Sequence, residues 1–225
     1  GSNDAITLDD ASNAFAGTVT FATDSGSAVT IVDTTALDLK ALSAASLSVT
    51  AGGAVTDSGT LAITGATTLN SGSADLTLDQ SGSTFGTLAI TGANVAVTEN
   101  AAMDLGASTI SGTASFNSTS NAVTDSGTLA ITGATTINSG SADLTLDDAA
   151  STFGALAITG ANVAVTENAA MDLGASTISG TASFNSTSNA ITDSGTLAIT
   201  GATTLNSGSA DLTLDQSAST FGTLA

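Results

Sequence analysis

The chain of 225 residues has no cysteine, proline, histidine, tryptophan or tyrosine, and a single basic residue, Lys40. Each absence removes a chemistry. Without Cys or His there are no disulfides, no thiol nucleophile, no Cys/His zinc site and no His-dependent triad. Twenty Asp and Glu against one Lys give a formal charge of −19. Such a chain cannot displace the counterions of nucleic acid, and anionic membrane surfaces repel it. No apolar run approaches the roughly 20 residues that span a bilayer as a helix. The absence of a leader says nothing here, because the first residues already lie inside a repeat.

What remains is Gly, Ala, Ser, Thr, Asp and aliphatic residues. An acidic, Ser- and Gly-rich composition can mean disorder. The hydrophobic fraction of 41% argues against it, since Leu, Ile and Val alternate with small polar residues as a half-buried strand requires.

Repetition is the dominant signal. Val55-Thr-Asp-Ser-Gly59 returns as Val123-Thr-Asp-Ser-Gly127 and as Ile191-Thr-Asp-Ser-Gly195, a period of 68. Segments 88–146 and 156–214 differ at two positions, Val123 against Ile191 and Ile137 against Leu205. Packed cores tolerate such aliphatic swaps, which predicts that these positions are buried. The copies also differ around Gln80-Ser81-Gly82, where the later ones have Asp148-Ala149-Ala150 and Gln216-Ser217-Ala218. That mixture suits an exposed bend.

A shorter period lies inside the long one. Ile-[Thr/Ser]-Gly begins at Ile63, Ile90, Ile110, Ile131, Ile158, Ile178 and Ile199, with spacings of 27, 20, 21, 27, 20 and 21. The spacing predicts three turns per repeat, one of them longer by six or seven residues. Gly65 and its counterparts are expected at one corner of every turn, in backbone conformations that Gly adopts cheaply. Three short strands fit each turn, for example Leu61–Ile63, Thr68–Asn70 and Asp75–Asp79. Alternation sends Leu61 and Ile63 inward and Ala62 and Thr64 outward. No segment carries a capped helical period, hairpin dipeptides such as Asn-Gly are missing, and the turns are too short for propeller blades.

The fold class read from this is all-β: a right-handed parallel β-helix, or β-solenoid. It has about three short strands and about 20–27 residues per turn, and about ten turns in a rod about 50 Å long. One solenoid segment fills 1–225, with a divergent repeat at 1–55, repeats at about 56–123 and 124–191, and a partial repeat at 192–225. In the divergent copy Ile6-Thr-Leu8-Asp9 matches Leu76-Thr-Leu78-Asp79, and Lys40 stands in the place of Gly106. Phe85, Phe153 and Phe221 are expected against the core.

Two stretches, Asn3-Asp-Ala-Ile-Thr-Leu-Asp-Asp-Ala-Ser-Asn-Ala-Phe-Ala-Gly17 and Leu47-Ser-Val-Thr-Ala-Gly-Gly-Ala-Val-Thr-Asp-Ser-Gly59, resemble repeats of very large bacterial exoproteins, the filamentous-haemagglutinin-like β-solenoid adhesins. The resemblance covers essentially the whole chain. It implies secretion across an outer membrane, an extracellular or bacterial cell-surface location, and a role in adhesion, biofilm or cell contact. The secretion domain usual in such proteins is not within these residues.

The residues support few reactions. Asp9-Asp10 and Asp147-Asp148 are paired carboxylates, but sequence neighbours on a strand face opposite ways, unlike the facing pair that glycoside hydrolysis needs. With no Arg, and Phe expected inside, no catalytic residue is assigned and the chain is read as a non-enzyme. Calcium is the minority cofactor candidate, because hard cations take carboxylate and carbonyl oxygens. However, the Gly-Gly-x-Gly-x-Asp nonapeptide is missing, and Asp57, Asp125 and Asp193 are expected about 14 Å apart along the axis. These acids are read as solvated turn residues, so no metal-binding or cofactor-binding residue is assigned. Thr64, Thr91, Ser111, Thr132, Thr159, Ser179 and Thr200 are expected in one outward column, the arrangement that ice binding would use. Asn117-Ser-Thr119 and Asn185-Ser-Thr187 fit the glycosylation pattern, but such matches arise easily in this composition.

The resulting functional expectation is a structural or adhesive repeat module, a stiff stalk or filament segment. A carbohydrate- or calcium-binding surface is the alternative, and ice binding is a lesser one. The expected partners are further copies stacked end to end or a longer parent chain, and a host or matrix glycan. Neither nucleic acid nor membrane insertion is expected.

Overall fold

The computed structural model describes residues 4–23 and 25–225. Asn3, which opens the stretch carrying the resemblance, lies outside the described residues. Among these residues there are 28 short strands and no helix. The strand pairings are parallel throughout, and the chain winds through about 11 coils. The coil that starts at Val123 is representative. It runs through strands Val123–Asp125, Leu129–Ile131 and Thr135–Asn138, then returns as Leu144–Leu146 with Leu144 in register with Val123. Three strands per coil agree with the sequence reading.

The two-residue alternation decides which side chains enter the core. Leu61 and Ile63 are buried, Ala62 is half-buried and Thr64 is exposed, as the pattern of a pleated strand requires. Val123, Ile191 and Ile137 are buried, and Leu205 packs half-buried against the core in the last coils. Phe85 and Phe153 are buried and Phe221 is half-buried, so these rings pack inward and offer no stacking platform. Each fully buried aliphatic side chain contributes about 1.5–3 kcal/mol of burial free energy. The stacked columns therefore hold the rod together without disulfides.

The long turn predicted from the 27-residue spacing does not exist. Register steps between coils run from 17 residues, Leu88 to Leu105, to 23, Ile6 to Val29. The extra residues have a different meaning. Val55 stacks on Leu76, Leu76 on Val95, and Val95 on Ala114. Three coils are then complete, and Val123, the repeat-mate of Val55, begins on the following face. There it pairs with Met103 and Leu144. The next repeat behaves alike: Val123, Leu144, Val163 and Ala182 share one column, and Ile191 starts another with Met171 and Leu212. One repeat thus advances three coils and one further face. Ile110 stacks on Ile131, and Ile178 on Ile199, whereas Ile63 is set off from Ile90, which pairs with Leu69. A spacing of 27 is one coil plus one face.

The corner glycines correct a second expectation. Gly65, Gly133 and Gly201 do not have positive φ. Their constraint is proximity: a Cβ on Gly133 would sit 2.5 Å from the Gly112 carbonyl oxygen, and one on Gly201 2.4 Å from that of Gly180. The coils approach too closely at these corners for any side chain. Positive φ belongs instead to Gly17 and to Gly72, Gly140 and Gly208, the last three in the Ser-Gly-Ser bends between strands, where the left-handed conformation favours Gly.

Candidate functional site

The chemistry-bearing groups of the fold are carboxyls placed where the alternation demands an aliphatic residue. Val95 and Val97 point into the core, and the next inward position is Glu99. Val163, Val165 and Glu167 repeat the pattern. Both glutamates are fully buried, at 0% exposure. They are the chain's two Glu residues.

Each sits in a shortened coil. The Asn100 N–H donates to the Ser83 carbonyl 17 residues earlier (2.8 Å), and the Asn168 N–H donates likewise to Ser151. The Glu99 N–H donates to the Asn117 carbonyl of the following coil (2.9 Å). The carboxyl itself has little company. The Phe153 N–H donates to Glu167 Oε2 (3.2 Å), leaving Oε1 without a partner. At Glu99 the Phe85 amide acts in the same sense, but no hydrogen bond closes on either oxygen. Burial pushes both carboxyls up from 4.5 to about 8, and the Phe85 and Phe153 amides offset part of that rise. The charged form is disfavoured because little replaces its lost hydration.

The next coil closes over each site with strained backbone. Thr119 and Ser120 have φ of 49° and 74°, and Thr187 and Ser188 have 49° and 76°. Among the described residues these are the non-glycine positions with positive φ, a conformation costly for a β-branched residue. Thr119 Oγ1 donates to the Glu99 carbonyl (2.9 Å) and to Asn100 Oδ1 (3.1 Å). Thr187 repeats both contacts on Glu167 and Asn168. Ser118 Oγ and Asn121 Nδ2 tie the bend together.

A second set of inward carboxyls caps corners. Asp57 follows Val55 in the inward register and is 7% exposed; Asp33 and Asp193 are equally enclosed, and Asp125 is half-buried. The solvated-turn reading of Asp57, Asp125 and Asp193 is therefore corrected. These side chains turn back onto the neighbouring coil and accept its free amides. Asp79 donates to Asp57, Asp147 to Asp125 and Asp215 to Asp193, at 2.8–2.9 Å. Burial raises the carboxyls of Asp57 and Asp125, against the pull of those amides. The three acids also lie on successive faces, since each repeat steps round the rod.

The remaining candidates are dispersed. Asp9 and Asp10 are exposed, and Asp148 caps its own bend and accepts from Thr128. The expected Thr column is split: Thr91, Ser111 and Thr132 belong to one face, Thr159, Ser179 and Thr200 to the next, with Thr64 apart. Even on a shared face Thr91 is in register with Thr109, not Ser111. Asn117 and Asn185 accept the Thr119 and Thr187 amides within their bends. Among the described residues no three metal-ligating side chains converge, and no helix is long and apolar enough to cross a membrane.

A family model described as repeats of unknown function (DUF5649) matches residues 26–91, 92–159 and 160–225. The matched spans follow one another without a gap and cover most of the chain. No curated protein and no solved structure matches it.

Proposed function

The chain belongs to that family of tandem repeats, and on this premise we propose that it is a stiff structural segment of a large bacterial surface or secreted protein. The observation that supports this reading is the unbroken stacking of one coil on the next, from Ile6 on Val29 to Thr203 on Leu224. A rod whose coils contact only their neighbours gains length by adding copies and has no size limit set by a closed core. Each added repeat extends such a rod by about 16 Å, three coils and a third at about 4.8 Å each. The charge of −19 keeps neighbouring rods apart in solution. The module works mechanically rather than as an enzyme, and holds no resident cofactor.

Extracellular location, the filamentous-haemagglutinin-like kinship and adhesion rest on the sequence resemblance. Leu212 and Leu224 are exposed in the last coils at 45% and 52%, and end-to-end stacking of copies would cover them. Small-angle scattering on the chain, and on a version with one 68-residue repeat duplicated, tests the rod. A maximum dimension that grows by about 16 Å supports it, and a dimension that stays constant contradicts it. A glycan array and calorimetry with calcium test the adhesive surface.

A further inference from the structure

Glu99 and Glu167 are expensive. An aliphatic residue at either inward position would continue the run of Val95 and Val97 or of Val163 and Val165, as Ala51 does after Leu47 and Val49 in the divergent copy. Instead, both repeats place an acid there, leave its oxygens nearly unpartnered, and bond a strained bend to its backbone carbonyl. Three features coincide twice: a shortened coil, a buried acid and a positive-φ bend. Strain and unsatisfied polarity at one place mark a position held for a purpose other than stability.

We propose that Glu99 and Glu167 are proton-dependent latches: a proton on the carboxyl holds the bends at 80–85 and 117–122, and at 148–153 and 185–190, closed over the short coil, and its loss opens them. The neutral acid lies in the buried corner at no Coulombic cost, whereas a carboxylate must regain water, and outward movement of these bends admits it. Other charges do not drive the change. The bend before Glu99 carries Asp79, its own coil Asp104, and the bend above it no titratable group. Around Glu167 the corresponding groups are Asp147, Asp148 and Asp172. Asp148 is engaged by Thr128 and Ala150, Asp104 by Thr87 and Ser126. None of them contributes to the displaced titration of either Glu, which burial dominates.

The sign follows from linkage. The closed bend binds the proton up to about pH 8, while an opened, hydrated Glu releases it near its ordinary value. Opening therefore rises roughly tenfold per pH unit between about 4.5 and 8 and levels off above. Acid tightens the latch, and neutral or alkaline solution loosens it. Repeats of this kind give the rod a pair of local give-points whose stiffness follows the surrounding pH, on two different faces.

The chain contains two Glu, so labelling glutamate with 13C at Cδ yields one signal per latch. We expect both carboxyls to titrate near pH 8. Between about pH 4.5 and 8, hydrogen-exchange protection of the Phe85 and Phe153 amides falls about tenfold per pH unit and then levels off, and it becomes independent of pH in the E99Q/E167Q variant. Midpoints near 4.5 overturn the proposal without any variant being made. So does protection that falls equally in wild type and variant. A titration displaced by calcium also overturns it, by showing that a cation rather than a proton neutralises the site.

Discussion

Replacing Glu99 by Gln should stabilise the protein at neutral pH, contrary to the usual outcome of altering a fully buried residue. The amide keeps the shape of the protonated acid and has no charge to desolvate. Folding of the wild type at pH 7 requires a proton that the unfolded chain has already released. The folded carboxyl titrates near 8 and the unfolded one near 4.5, and at about 1.4 kcal/mol per pH unit the proton costs on the order of 3 kcal/mol at pH 7. Because the folded value is raised, the stability tied to Glu99 is fully present below about pH 4.5 and is lost as pH rises towards 8. Urea melts followed by far-UV circular dichroism, at pH 5 and at pH 8, measure the difference; the chain has no Trp or Tyr for fluorescence. Glu99→Gln should gain little at pH 5 and a few kcal/mol at pH 8, and E99Q/E167Q should gain about twice as much. A shallower pH dependence remains in the double variant, because burial also raises Asp57 and Asp125. A Gln variant that is less stable than wild type at pH 8, or a wild type equally stable at both pH values, would refute the reasoning.

Other consequences follow from the packing. Leu144→Ala removes a side chain with 0% exposure between Val123 and Val163 and should cost about 2–5 kcal/mol in the same melts. Its repeat-mate Leu212, 45% exposed, should lose well under half of that on substitution. Gly133→Ala forces a methyl to within 2.5 Å of the Gly112 carbonyl oxygen and should destabilise by about 1–3 kcal/mol, although Ala normally restricts the unfolded chain in favour of folding. Thermal hysteresis should be absent, since the Thr residues are divided among faces.

Much of this fold was legible in the sequence. Leu61-Ala-Ile63 and Leu76-Thr-Leu78 announce short half-buried strands, and the recurrence of Ile-[Thr/Ser]-Gly announces coils. The face step was not. A spacing of 27 is equally consistent with one long turn and with one turn plus a face, and periodicity along the chain does not separate the two; only the pairing of Ile90 with Leu69 does. The glycine corners were found for the wrong reason, because the coil packed against Gly133 is invisible in its own neighbours. The buried carboxyls were findable. Val95, Val97 and Glu99 share one parity, as do Val55 and Asp57. Treating acids as solvent-facing overrode the alternation that had placed their neighbours correctly. What no local pattern reveals is the shortening of the coil at Asn100, which follows from its pairing with Ser83.

The central claim is that each repeat advances three coils and one face. The chain has no Cys, so engineered pairs can report register on a clean background, and adjacent coils lie within disulfide reach. Oxidation should link Ala62→Cys with Thr84→Cys, and Thr68→Cys with Ala89→Cys, the outward pairs that are in register. Ala62→Cys with Ala89→Cys, 27 residues apart, should stay reduced. Efficient linkage of that last pair, with failure of the first two, would show that the repeat is three turns with one enlarged, and would contradict the face step.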